Sequence, residues 1–181
     1  MTYLPSLPED ASLVAVLHLY AQTYRQLLGF HQVAMRGPSP LTAAERETIA
    51  AYVSGLNDCR FCYGVHSATA TALGVPAGAV GAALDDIDST EVPERLAPLL
   101  RYARKLTLAP SSLTAGDAQA VFDAGFEERA LHDAVAVCAL FNMMNRLVDG
   151  LGIVGDERLF GKSGRILAEA GYPALLADLP E

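Results

Sequence analysis

Residues 41–73 read LTAAERETIAAYVSGLNDCRFCYGVHSATATAL and predict two helices joined by a short turn. Thr42 and Glu45 stand in the order of a capping box, in which the two side chains bind the free N–H groups at a helix start. Gly55 is expected to end the first helix in the left-handed conformation that glycine adopts most easily. The second helix should run to about position 73 behind one of two capping residues, Asn57 or Asp58.

The second of these helices carries two cysteines and a histidine, which are Cys59, Cys62 and His66. At about 100° per residue these positions fall within roughly 60° of one another, so both sulfurs and the imidazole share one helix face. A dithiol with a base beside it, in the first two turns of a helix, is typical of redox chemistry.

Such chemistry needs a thiolate, so a cysteine pKa has to fall from its ordinary value of about 8.5. A fall of about two units needs ~2.7 kcal/mol, whereas a helix N-terminus supplies ~0.3 to 1 kcal/mol and about 2 at best. A protonated His66, one turn from Cys62, would supply the remainder. Glu47 beside a sulfur would raise the thiol pKa, so we place it behind His66 or linked to it through water.

Helical periodicity continues through the rest of the chain, and no run alternates β-branched and aromatic residues as strands do. The sequence therefore predicts an all-α fold, a single-domain helical bundle over residues 1–181. Apart from the segment already described, helices are expected at about 13–35, 76–84, 96–106, 114–125, 127–148 and 158–170. An acidic loop is expected over 85–91, and the tail 175–181 is expected to be frayed.

Composition narrows the class of protein. The chain has 181 residues with 13 basic and 21 acidic side chains and a formal charge of -8, and no basic run could follow a phosphate backbone, so nucleic acid is not an expected partner. No apolar run reaches the ~18 residues that a membrane span needs, and the N-terminus lacks a basic leader region. A cytoplasmic protein without a membrane partner is therefore expected.

The acid, dithiol and histidine together carry a resemblance to a known family. The pattern consists of Leu41-Thr42, then Glu45-Arg46-Glu47, eleven residues, Cys59-x-x-Cys62, three residues and His66. It resembles the alkylhydroperoxidase D-like family of the carboxymuconolactone decarboxylase superfamily, in particular its branch of uncharacterised peroxidase-related proteins. The later run FNMMNRLVD at 141–149 is also similar to that branch.

The resemblance implies an all-helical fold, a homo-oligomer that is a trimer or hexamer, and reduction of hydroperoxides by the dithiol. By position it implies that Cys62 attacks the peroxide, that Cys59 resolves and faces the reducing partner, and that Glu47 and His66 relay protons. Some members have a second relay histidine just before the later cysteine, where this sequence has Phe61.

We therefore interpret the chain as an enzyme, a thiol-dependent hydroperoxide reductase with peroxiredoxin-type activity. Its partners would be a hydroperoxide substrate and an external dithiol reductant, and the scheme requires no flavin, haem or metal. One alternative is a carboxymuconolactone decarboxylase-like lyase that uses Glu47 and His66 as acid and base. Another is a non-enzymatic redox-sensing or zinc-binding helical module, with four candidate ligands in Glu47, Cys59, Cys62 and His66.

Several other polar residues are expected to be structural. The glycines of 150–155 spell G-x-G-x-x-G, but they follow a helix and are expected to end it and not to bind a nucleotide. An interhelical polar network is predicted for Asn142, Asn145, Arg146 and Asp149. Core or surface positions are predicted for His18, His31 and His132, and Cys138 is expected to pack as a small hydrophobe.

Overall fold

Helices make up all the regular structure of the described residues, 2–88 and 92–176, in the computed structural model of the chain. Within these residues ten α-helices follow one another: α1 Leu13–Leu19, α2 Ala21–Arg36, α3 Ala43–Leu56, α4 Arg60–Ala72, α5 Ala79–Asp85, α6 Ala97–Leu108, α7 Ala115–Asp123, α8 Glu128–Gly150, α9 Glu157–Ala170 and α10 Pro173–Leu176. Short 3-10 turns at Glu94–Leu96 and Pro110–Ser112 precede α6 and α7. The all-α prediction is confirmed. No helix among the described residues has the length and apolarity to cross a bilayer.

The centre of the molecule is α3, in which every residue from position 45 to position 54 is buried. Helices α4, α5, α6 and α8 pack around it. Charged side chains are almost never fully buried unless they are paired. In α3 the Glu45 carboxylate accepts a bond of 2.6 Å from Arg95, and the Arg46 guanidinium donates to the carbonyl oxygens of Ala34 and Gly37 at 3.1 and 2.9 Å.

The turn between α3 and α4 differs from the prediction. The first helix continues through Gly55 to Leu56, and the left-handed residue is Asp58, with φ 57°. Cys59 itself is the N-cap of α4, in place of Asn57 or Asp58. A Cβ at Gly55 would lie 2.4 Å from Leu84 Cδ1, so the missing side chain leaves room for α5 instead of ending the helix.

Helices α4 and α9 touch closely because each has a glycine at the contact. A Cβ added to Gly64 would lie 2.3 Å from the ring of Phe160, and one added to Gly164 would lie 2.8 Å from the backbone of Ala68. Their absence lets α9 lie directly along α4 and cover it. The helix that carries Cys62 and His66 is therefore held between α3 and α9.

Two further helix boundaries differ from the predicted ones, and two others agree with them. The expected first helix is interrupted at Tyr20, where φ is -121° and ψ is 43°, which gives α1 and α2. The tail begins with α10, whose Leu175 packs against the core, so it is not frayed there. The capping box at Thr42 is present, and α8 ends at the predicted glycine-rich turn.

Some predictions fall on residues whose structure is not described. Positions 89–91 of the acidic loop and positions 177–181 of the tail lie outside the described residues. The described helices share one hydrophobic core. The extent of the single domain, 1–181, stays a prediction.

Candidate active site

The acid predicted to stand behind the histidine does contact it. Glu47, on α3, is fully buried, and its Oε2 lies 2.6 Å from Nδ1 of His66, on α4. His66 is 8% exposed. The pair joins the two helices of the segment that the sequence analysis singled out, and it needs no bridging water.

Two residues that the sequence analysis missed also bind Glu47. Arg36, the last residue of α2, donates from Nη2 to Oε1 at 2.6 Å, and the Tyr172 hydroxyl lies 3.4 Å from the same oxygen. Burial would raise the pKa of Glu47, but the charges and hydrogen bonds of His66 and Arg36 outweigh it and hold the pKa below its ordinary value.

The ionised Glu47 defines the role of each ring nitrogen of His66. A carboxylate only accepts hydrogen bonds, so Nδ1 of His66 carries a proton. Nε2 is then the nitrogen that can exchange a proton with other groups. The spacing of Arg36 and Tyr172 from the cysteines matches no known motif, so the sequence could not indicate that they bind Glu47.

The two cysteines are free thiols in different surroundings. Cys62, in the first turn of α4, is 4% exposed, whereas Cys59 has no exposed surface. The hydrogen bond with Cys62 raises the pKa of Cys59, and burial and the side chain of Asp149 raise it further. Cys59 therefore keeps its proton and can donate it toward the sulfur of Cys62.

The burial of Cys59 corrects one expectation. A partner-facing thiol would need exposed surface, and Cys59 has none in this chain because it lies in the turn between α3 and α4, which is attached to α8. Asn57, two residues earlier, donates to Asn145 at 2.9 Å and to Asn142 at 3.2 Å. Among the predicted network residues, these two asparagines form the interhelical polar contact that was expected.

A cavity of about 260 Å³ opens beside Cys62 and His66. Its walls are mainly apolar side chains of α1, α2, α4, α8 and α9. Three exposed side chains mark its outer end, namely Val14, Lys162 and Ile166. Cys62 thus faces a route to the surface, and Cys59 is not among the residues that line the cavity.

His31, on α2, lines the same cavity. It is 4% exposed, its Nδ1 lies 2.9 Å from the carbonyl oxygen of Leu27, and its ring packs 5.2 Å from that of Tyr172. Burial lowers the pKa of His31 to about 4, against the hydrogen bond to Leu27, and the charge of His66 lowers it too. The prediction of a core position is confirmed, but the sequence did not indicate that this position lies beside Cys62.

The other candidates are separate from this site. His18 and His132 are exposed. Cys138 is fully buried, and burial raises the pKa of its thiol, as expected of a packed cysteine. Within residues 2–88 and 92–176 no three His, Cys, Asp or Glu side chains, the four candidate zinc ligands included, are grouped as a metal ion would need.

Residues 21–105, from the start of α2 into α6, match the carboxymuconolactone decarboxylase family. No curated protein matches the chain in sequence. Among solved structures, the chain is similar to an uncharacterised peroxidase-related protein from Silicibacter sp. TM1040, with 23% identity, a TM-score of 0.76, and 82% of this chain and 78% of that one covered.

Two further solved structures have the same fold. One is the alkylhydroperoxidase AhpD core of an uncharacterised peroxidase-related protein from Ralstonia eutropha JMP134, with 24% identity, a TM-score of 0.75, and 83% of this chain and 78% of that one covered. The other is a variant of the debrominase Bmp8 in complex with 2,3,4-tribromopyrrole, with 17% identity, a TM-score of 0.68, and 92% of this chain and 81% of that one covered. At these identities the likeness shows the fold.

Proposed function

We propose that the chain is a thiol-dependent hydroperoxide reductase, because its residues 21–105 match the carboxymuconolactone decarboxylase family and its fold is that of peroxidase-related proteins. The observation that carries the proposal is the position of Cys62 and His66 on the wall of one cavity, with the buried carboxylate of Glu47 behind the imidazole. The apolar walls suit an organic hydroperoxide, R–O–OH, better than a small polar peroxide.

The first step is the reduction of the peroxide by Cys62. Four residues apart on α4, Cys62 and His66 are neighbours, so Nε2 of His66 takes the thiol proton while Nδ1 stays bonded to Glu47. The thiolate attacks the distal oxygen, an S–O bond forms and the O–O bond breaks. The alkoxide takes the proton back from Nε2, which leaves an alcohol and a sulfenic acid on Cys62.

The second step closes a disulfide. The sulfur of Cys59 attacks that of the Cys62 sulfenic acid, the S–S bond forms, and the hydroxyl group leaves as water with the proton of Cys59. An external dithiol then reduces the disulfide and becomes a disulfide itself. Because the cavity reaches Cys62 and not Cys59, a small dithiol would attack the sulfur of Cys62.

The test is peroxide consumption with cumene hydroperoxide and a dithiol donor. We expect turnover by the wild type, none by Cys62→Ser, and turnover close to that of the wild type by the control Cys138→Ser, which changes a buried thiol outside the cavity. Cys59→Ser should form the sulfenic acid once and fail to complete the cycle. A wild type that consumes no peroxide, or a Cys62→Ser variant that keeps the activity, would overturn the proposal.

A lyase of the carboxymuconolactone decarboxylase type is the second candidate. It is supported by the family match and by the Glu47–His66 pair, which could move protons without the cysteines. On that hypothesis Cys62→Ser keeps activity toward a lactone acid and Glu47→Gln loses it. Cys62→Ser therefore separates the two candidates, because the hydroperoxide reductase loses its activity in this variant and the lyase keeps it.

A further inference from the structure

We propose that His31 positions the substrate, with its Nε2 accepting a hydrogen bond from the O–H of the hydroperoxide that Cys62 attacks. The inference rests on the proposed function, which it extends by one residue. It concerns a histidine that lies 31 positions before Cys62 and on another helix, α2. Both side chains line the 260 Å³ cavity.

The hydrogen bonds of His31 determine which nitrogen can bind a substrate. Nδ1 lies 2.9 Å from the carbonyl oxygen of Leu27, one turn earlier in the same helix. A carbonyl oxygen only accepts hydrogen bonds, so Nδ1 carries the proton of the ring. Aromatic contacts hold the ring in place, with centroids 5.2 Å from Tyr172 and 6.1 Å from Phe141.

His31 is neutral near pH 7, because burial at 4% exposure lowers its pKa to about 4. In a neutral imidazole with Nδ1 protonated, Nε2 has a free lone pair and can only accept. Glu47 on α3 and His66 on α4 act on its charge. The further titratable groups on the cavity wall are Tyr24, Cys62, Lys162 and Tyr172. His31 is therefore a fixed acceptor in a largely apolar cavity.

The two histidines offer a hydroperoxide complementary contacts. After His66 has taken the proton of Cys62, its Nε2 is a donor, whereas Nε2 of His31 is an acceptor. A hydroperoxide has its only O–H on the distal oxygen, and its other oxygen becomes the alkoxide. Binding the O–H to His31 and the proximal oxygen to His66 would orient the O–O bond for attack by Cys62.

The balance of the reaction is unchanged by this contact. The S–O bond forms and the O–O bond breaks, so the sulfur of Cys62 is oxidised by two electrons and the peroxide is reduced by two. The distal proton stays on the oxygen that becomes the sulfenic hydroxyl group. The alkoxide is protonated by His66, so His31 binds the substrate without gaining or losing a proton.

Two reagents separate substrate positioning from a structural role. Cumene hydroperoxide has the O–H that His31 would bind, whereas methyl methanethiosulfonate reacts with the same thiolate and has no hydrogen-bond donor. Single-turnover rates of both at Cys62 should be measured in His31→Phe, which keeps an aromatic ring against Tyr172 and Phe141. The matched control is His18→Phe, the same substitution at an exposed histidine that does not line the cavity.

We expect His31→Phe to slow the hydroperoxide reaction about tenfold, the effect of one lost hydrogen bond, and to change the methanethiosulfonate reaction less than twofold. His31→Gln, whose amide reaches toward the position of Nε2, should recover part of the rate, and His18→Phe should leave both rates near wild type. His31→Asn, whose amide reaches only the position of Nδ1, should reproduce the loss if the phenylalanine variant does not fold.

Three results would overturn the inference. An unchanged hydroperoxide rate in His31→Phe and His31→Asn would show that the acceptor is not used. An equal loss with both reagents would assign His31 a structural role alone. A wild type that reacts with methyl methanethiosulfonate and not with cumene hydroperoxide would remove the proposed function itself, and the inference with it.

Discussion

Glu47 is the residue on which the buried polar contacts of the site converge. Its two oxygens lie 2.6 Å from His66 and 2.6 Å from Arg36, and it has no exposed surface. The sequence predicted the contact with His66 because an acid beside a sulfur would oppose thiolate formation. It could not predict Arg36, whose place beside Glu47 depends on how α2 packs on α3.

The substitution Glu47→Gln should destabilise the fold by about 3 kcal/mol, because it leaves Arg36 without its buried counter-charge. Urea unfolding at pH 7 measures the change. The control is Glu157→Gln, whose contact with Arg60 is 4.0 Å long and exposed, so its effect should stay within about 0.5 kcal/mol. A stability equal to that of the wild type for Glu47→Gln would contradict the pairing.

His31 should make the stability depend on pH. Its folded pKa of about 4 is lower than the ordinary 6.5, so the unfolded chain binds a proton first as the pH falls. The contribution of His31 to the free energy of unfolding is therefore complete above about pH 6.5 and is lost as the pH falls toward 4. The total loss is about 3 kcal/mol, at ~1.36 kcal/mol for each unit of pKa difference. Urea midpoints at pH 7, 6 and 5 measure it.

The matched variant for this effect is His31→Phe, which cannot titrate. Its urea midpoint should fall less between pH 7 and pH 5 than that of the wild type. An exposed histidine gives the comparison, because His18→Phe should keep the wild-type dependence. Parallel pH curves for the wild type and His31→Phe would refute the assignment.

At the scale of the elements, the contact between α4 and α9 determines the shape of the site. The glycines at this contact let α9 lie on α4, and α9 also supplies Leu159, Lys162, Ser163, Ile166 and Leu167 to the cavity. The sequence predicted both helices from their periodicity, and α4 also from a capping residue before it. The faces of α4 and α9 that meet were not predictable, because a glycine inside a helix does not indicate which other helix packs against it.

Gly164→Ala should destabilise the protein by about 1 to 3 kcal/mol, since the new Cβ would lie 2.8 Å from the backbone of Ala68, which cannot rotate away. Gly161→Ala in the same helix is the control, because its Cβ would meet only the guanidinium of Arg165, at 3.8 Å. That variant should be neutral or more stable by up to about 1 kcal/mol, from helix propensity. Equal effects of the two substitutions on urea unfolding would argue against the close contact.

At the scale of the whole molecule, the trimer or hexamer that the resemblance implies stays a prediction. Large apolar side chains remain exposed on α1 and α2, among them Val33 at 67% and Phe30 at 47%. Exposed apolar surface of this kind is typical of a subunit interface. We expect sedimentation at micromolar concentration to give a mass three or six times the 19.1 kDa of one chain. A monomer under these conditions would contradict the prediction.

The sequence by itself determined the helical class and the core of the site. Helix periodicity, the Thr42 capping box and the spacing of Cys62 and His66 are local properties, and local geometry along α4 decides that these two side chains share a face, whereas Cys59 precedes the helix as its N-cap. Only the tertiary structure decided that α3 is buried on all sides, that Cys59 is covered, and that Arg36, His31 and Tyr172 meet around Glu47 and Cys62. These residues come from distant parts of the chain, and the packing of whole helices, which no spacing in the sequence records, brings them together.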